Sequence, residues 1–122
     1  MTEQLRLPPR VKQLEDEQVL GRWRASRTQS SLRLVHGHLY LTTRRLVFAP
    51  YDWDAALSGV YLQCGLNGIL GLGRQERDTS QVLGGSLRER LWIEFDDFSV
   101  ERFRVKNIDG VIAQIRAAAN LS

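Results

Sequence analysis

Gly37-His38-Leu39-Tyr40-Leu41-Thr42-Thr43-Arg44-Arg45-Leu46-Val47-Phe48 reads as two strands joined by a tight turn. Leu39 and Leu41 share one side of a period-two pattern, with His38, Tyr40 and Thr42 on the other. Leu46 and Phe48 resume the inward face after Thr43 and Arg44 alone. Two intervening residues is a hairpin spacing, although the Asn or Gly usual in such turns is missing.

The flanks extend this pattern. Upstream, residues 18–27 alternate Val19, Trp23 and Ala25 with Arg22 and Arg24, which predicts a half-buried first strand with Trp23 in the core. A polar loop at 28–31 leads into the hairpin strands, 34–42 and 45–50. Downstream, 51–58 reads as a loop, and 59–65 and 69–75 as two glycine-broken strands. Residues 76–86, with Asp78, Ser80, Gly84 and Gly85, suit a surface loop. Residues 87–95 then alternate Leu91, Ile93 and Phe95 with Arg90, Trp92 and Glu94. Asp96 and Asp97 make a turn, and 98–105 return with Phe103 and Val105 opposite Arg102 and Arg104. Asn107 is a candidate N-cap for a helix whose apolar residues Ile108, Val111, Ile112, Ile115 and Ala119 recur at spacings of three and four.

About seven strands and one amphipathic C-terminal helix in 122 residues predict one mainly-β, α+β domain. The expected architecture is a bent antiparallel barrel or sandwich with the helix closing one end. Residues 1–17 read as a Pro-containing leader and 18–122 as the domain. Hydrophobic residues at 43% and charged residues at 25% are ordinary globular usage, which excludes a disordered chain. Cys64 is the sole cysteine, so an internal disulfide and a cysteine zinc cluster are both excluded; a small buried apolar role is expected for it. No apolar run approaches the ~20 residues a membrane-spanning helix needs, and residues 1–12 lack the apolar core of a signal peptide. The expected location is cytoplasmic, with peripheral membrane association as the alternative.

Gly37 to Phe48 resembles the GRAM-family pattern Gly-x-Leu-Tyr-Leu-Thr-Asn-x-Arg-Leu-x-Phe, with Thr43 standing where the family often has Asn. The stretch Glu17 to Leu20 before it, the Leu66-x-x-Ile69 element after it and the closing strand pair plus helix are similar in outline. The resemblance implies the pleckstrin-homology-like fold and a lipid- or protein-binding role without catalytic residues. The matched residues are packing and turn positions, so they carry over a fold and no site.

Chemical motifs point the same way. His36 and His38 share a strand face, but no third ligand completes a zinc set, and no metal or other cofactor is expected. Gly68, Gly71 and Gly73 match neither a dinucleotide fingerprint nor a P-loop. No nucleophile, base and orienting group can be assembled from the spacing, so no enzyme activity is expected. The net charge of +3 is mildly basic. One end of the predicted barrel gathers Arg44, Arg45, Arg74, Arg77, Arg88 and Lys106 and is the candidate anion-binding end. The alternative end offers Arg24, Arg27 and Arg33, opposed by Asp52, Asp54, Asp96 and Asp97. Tyr51, Trp53 and Trp92 are candidate partner-contact aromatics. The expectation is a non-catalytic binding module acting through a protein partner or self-association. Anionic, phosphoinositide-like membrane lipid is the alternative ligand, and the linear pattern argues against nucleic acid.

Overall fold

The computed structural model describes residues 5–30, 33–56, 59, 61–75 and 90–121. Its seven strands are β1 (Val19–Ser30), β2 (Arg33–Thr42), β3 (Arg45–Pro50), β4 (Leu62–Gly65), β5 (Ile69–Gln75), β6 (Arg90–Phe95) and β7 (Val100–Val105). They form one antiparallel sheet in the order β4-β3-β2-β1-β7-β6-β5. A short helix α1 (Asp52–Ala56) follows β3, a 3₁₀ turn (Leu66–Gly68) links the edge strands β4 and β5, and α2 (Ile108–Ala119) ends the chain. The mainly-β order with a C-terminal helix is the one expected from the sequence.

β1 organises the sheet. It pairs with β2 from Val19 to Ser30 but with β7 only through Ala25, Ser26 and Arg27. The N-terminal half of β1 therefore leaves β7 behind, and the sheet opens between Arg24 and the start of α2.

The inner face carries the core predicted by alternation. Leu39, Leu41, Phe48, Leu91, Ile93 and Phe103 are almost completely buried, and the Phe48 and Phe103 rings lie 5.6 Å apart. α2 adds Ile108, Val111 and Ile115 to the same cluster. Each such aliphatic side chain contributes about 1.5–3 kcal/mol of burial. On the opposite face of β2 and β3 the leader packs down: Leu7 and Val11 are buried against Tyr40, Val47 and Ala49.

Three local expectations change. Residues 28–30 are not loop but the end of β1, because Thr28 and Ser30 keep pairing with β2. Residues 52–56 are a helix where a loop was expected. Asn107 precedes α2 but does not cap it: at φ 56° it is left-handed, and its side chain makes no capping bond. Instead its amide group lies over Gly110, where a Cβ would strike it.

The hairpin is as expected: β2 ends at Thr42 and β3 begins at Arg45, so Thr43 and Arg44 alone separate the strands, the last β2–β3 pair being Leu41 with Leu46. Neither Thr43 nor Arg44 has positive φ, so no Asn-Gly is required. The Thr42 hydroxyl holds the turn from within, accepting the Arg44 N–H at 3.0 Å and the Arg45 N–H at 2.9 Å.

Candidate functional site

Strand register assembles a basic surface on the outer face. β1 presents Arg22, Arg24 and Ser26 outward, opposite Tyr40, His38 and His36 of β2. On its other side Ser26 lies opposite Arg104 of β7. Two residues on from Arg104, Lys106 continues the same face as β7 runs out and the chain turns into α2.

The opening between β1 and β7 becomes a groove of about 940 Å³. Arg22, Arg24, Arg104 and Lys106 line it, with Ser26 between them, His36 and Tyr51 along one side, and Trp23 and Ile108 at depth. Among the described residues no carboxylate lines it. Four cations around one concavity without a counter-charge make an attractive field for an anion. Arg22, Arg24 and Lys106 are exposed and Arg104 is half-buried, so their charged ends are reachable from water.

An aromatic row borders the groove. His38 meets the Tyr51 ring edge-on at 5.1 Å, Tyr51 lies 6.4 Å from Trp53, and Trp53 lies 5.9 Å from His36. Asp54 fixes α1 and hence this row. Its buried carboxylate accepts the His36 N–H at 2.7 Å and an Arg33 Nη2 proton at 2.7 Å. Asp54 is 2% exposed and so is withdrawn from the surface, while Trp53 is 57% exposed. Within the row the His36 Nδ1 shares a 2.8 Å hydrogen bond with the Ser26 hydroxyl. Burial, helped by the charges of Arg22 and Arg24, holds the His38 imidazole below its ordinary pKa.

The candidate residues read from the sequence scatter accordingly. Lys106, assigned to one end, and Arg24, assigned to the other, come together in the groove. Arg45 is occupied within the fold by Glu17, Gln63 and the Lys12 carbonyl. Arg44 is exposed and donates to the Glu15 carbonyl, while Arg74 pairs with Asp109 of α2 at 3.3 Å. Arg27 forms a two-pronged pair with Glu101, and Arg33 pairs with Asp54. Arg77 and Arg88 lie outside the described residues. Of the aromatics, Tyr51 and Trp53 border the groove, while Trp92 is half-buried with its ring over Gly73.

Arg22 and Arg104 belong to the groove and were missing from the sequence-based set. The signal for them was present: Arg22 and Arg24, and Arg104 and Lys106, are each two apart and therefore share a face. That β1 and β7 are neighbours is what makes one surface of the two pairs. No group of three or more His, Cys, Asp or Glu side chains fit to hold a metal occurs among the described residues, and no described helix is long and apolar enough to cross a membrane.

No protein-family model and no curated protein matches the sequence. Solved structures do resemble the fold. The hSac2 domain from the human phosphoinositide phosphatase Sac2 superposes with a TM-score of 0.70 at 16% identity, covering 90% of this chain and 76% of that one. The C-terminal domain of an unknown protein from Leishmania infantum gives a TM-score of 0.64 at 10% identity, covering 87% of each chain. The linker-DH/PH domains of p115-RhoGEF give 0.61 at 9% identity, covering 88% of this chain and 30% of that one. At these identities the likeness is one of fold, and the fold is pleckstrin-homology-like.

Proposed function

We propose that this chain is a non-catalytic, GRAM-type binding module that docks on anionic membrane lipid through the groove between β1 and β7, taking a phosphate-bearing headgroup. One observation carries the reading: Arg22, Arg24, Arg104 and Lys106 line a single concavity that has no carboxylate among its described lining residues. The withdrawal of Asp54 into the fold removes one of the acidic groups that would repel an anionic leaflet. Trp53, exposed at the edge of the groove, suits the headgroup layer, where indole rings collect. The GRAM-like hairpin sequence supports the GRAM-type part of the reading, and the groove alone supports the choice of ligand.

Vesicle flotation tests the reading, with neutral and anionic vesicles compared across a salt series. Each basic side chain near an anionic surface contributes about 1 kcal/mol, so the Arg24→Gln/Lys106→Gln variant should bind about 30-fold more weakly. Binding to anionic vesicles that weakens with salt and is lost in the variant is the expected result. Absence of flotation at low salt would overturn it. The second reading, a protein partner or self-association, then takes precedence. It rests on Trp53 and on Phe98, which is 78% exposed at the β6–β7 turn.

A further inference from the structure

We propose that Arg90, Arg102 and Arg104, on the outer face of β6 and β7, form a second anion subsite that takes one phosphoryl group of a multiply phosphorylated ligand. The inference extends the reading of the adjoining groove, with which it shares Arg104.

Register brings the three side chains together. Arg102 and Arg104 project from the same face of β7, and the pairing of Leu91 with Phe103 sets Arg90 beside Arg104. The three backbone positions thus lie within one strand spacing, ~4.8 Å, and one same-face step, ~6.7 Å, of each other. Like charges at such positions destabilise a sheet unless something compensates them.

Their protein partners are neutral. Arg90 Nη1 donates to the Thr28 hydroxyl at 3.3 Å and Arg102 Nε donates to the Gln75 side-chain oxygen at 3.0 Å. None of the three is in an ion pair among the described residues. Glu101 faces the other way and is held by Arg27. Glu94, the outward carboxylate of β6, lies ~13 Å along the strand from Arg90 and one strand spacing and one same-face step from Arg102, with which it makes no ion pair. The Arg90 Nε is buried without a hydrogen-bond partner. Burial, followed by the charges of Arg104 and Arg102, pulls the Arg90 guanidinium below its ordinary pKa, as expected for mutual repulsion without a counter-charge.

A phosphoryl group supplies the counter-charge this cluster lacks. Its oxygens accept from the guanidinium forks of Arg104 and Arg102, and its charge offsets the repulsion on Arg90. Because Arg104 also lines the groove, a ligand in the groove presents a neighbouring phosphoryl group to this cluster. The chemical class is a small scaffold with at least two phosphoryl groups, either a lipid headgroup or a free polyphosphate.

Thermal unfolding in low-salt, phosphate-free buffer, titrated with pyrophosphate, tests the subsite. Without anion, Arg102→Gln should unfold at or above the wild-type Tm, because repulsion is relieved. Pyrophosphate should raise the wild-type Tm, with at least tenfold weaker apparent affinity in Arg90→Gln and Arg102→Gln. Arg44→Gln, an equal charge change elsewhere, should keep the wild-type response. Wild-type affinity in both cluster variants, or an equal loss in Arg44→Gln, overturns the proposal. A second measurement needs no variant: inorganic phosphate should shift the Ser26 and Thr28 amide resonances, and unmoved amides overturn it. Vesicles carrying mono- or bisphosphorylated headgroups at equal surface charge separate the sources. A preference for the bisphosphorylated headgroup that Arg90→Gln abolishes supports the lipid. Pyrophosphate binding without such a preference supports the free polyphosphate. The groove itself is tested separately by Arg24→Gln/Lys106→Gln, so either site can fail alone.

Discussion

Glu17 and Arg45 form a two-pronged ion pair, Nε to Oε2 at 2.9 Å and Nη2 to Oε1 at 3.0 Å, between the end of the leader and the start of β3. The same carboxylate accepts the Leu14 N–H at 2.9 Å and the Thr42 hydroxyl at 2.7 Å. Arg45 also donates to the Lys12 carbonyl at 2.7 Å. One buried carboxylate therefore ties the leader to the hairpin turn.

Burial alone would raise the Glu17 pKa, but hydrogen bonds from Arg45, Leu14 and Thr42 outweigh it and hold the carboxyl below its usual 4.5. A depressed folded pKa means that the pair's stabilisation is present above that value and is lost as pH falls through the folded one. Glu17→Ala leaves the Arg45 guanidinium largely buried without its partner and should cost about 3 kcal/mol at pH 7. Urea unfolding should show that the difference from wild type shrinks below about pH 4. A difference that does not change with pH would show that the charge is not what stabilises.

Gly37 of β2 pairs with Pro50 at the end of β3. A Cβ there would land on the Ala49 carbonyl oxygen and within 2.7 Å of the Pro50 Cα, both backbone atoms that no rotamer change can move. Gly37→Ala should therefore lower stability by about 2–3 kcal/mol and disturb the Asp54 contacts just beyond. By contrast, Gly65→Ala, with no atom within 4 Å of the new Cβ, should cost far less. Equal denaturation midpoints for the two variants would rule out the close-approach account.

Period-two alternation made the fold legible. It separated the two faces of β2, β3, β6 and β7, although only β6 and β7 have a wet outer face, that of β2 and β3 being covered by Leu7 and Val11 of the leader. It was weaker at 28–30, where Thr28 and Ser30 are polar yet still paired in the sheet. α1 was hidden for a different reason. Asp52 and Trp53 carry no helical periodicity over five residues, and the helix depends on Asp54 bonding to His36, 18 positions away in sequence. The groove was half legible. Reading arginines by loop ends separated Arg24 from Lys106, whereas reading them by strand face needs the β1–β7 pairing, which is a property of topology.

Phe98 adopts φ 67° in the β6–β7 turn, the left-handed region where glycine is favoured, with 78% of its surface exposed. The conformation costs about 1–2 kcal/mol for a residue bearing a Cβ, and the exposed ring recovers little of it by packing. Phe98→Gly should raise stability by about 0.5–1 kcal/mol after the larger chain entropy of glycine is subtracted. A lower Tm for the variant would mean that the ring packs in solution after all.

Cys64 points into the sheet from β4 and is half-buried against the core. Burial, reinforced by the negative charges of Glu101 and Asp97, pushes its thiol up to about 11. The thiolate fraction at pH 8 is then roughly a hundredfold below that of a free cysteine. Iodoacetamide should modify the native protein at least that much more slowly than the urea-unfolded chain. Comparable rates in the two states would place the thiol in water.

His38 is part of the aromatic row beside the groove, opposite Arg24 on β1. Burial first, then Arg22 and Arg24, lowers its pKa from 6.5, so the neutral ring is the form that packs edge-on against Tyr51. For a base with a depressed folded pKa, the unfolded chain binds the proton more readily. Stability is therefore complete above about pH 6.5 and declines as pH falls below it. Arg24→Gln removes one repelling charge, so the His38 pKa should move upward, as NMR titration of its ring protons would report. An anion bound in the groove should shift it in the same direction, because its charge opposes those of Arg22 and Arg24. A His38 that titrates at or above 6.5 in the wild type, or that is unmoved in Arg24→Gln, would mean that the arginine field does not reach the ring.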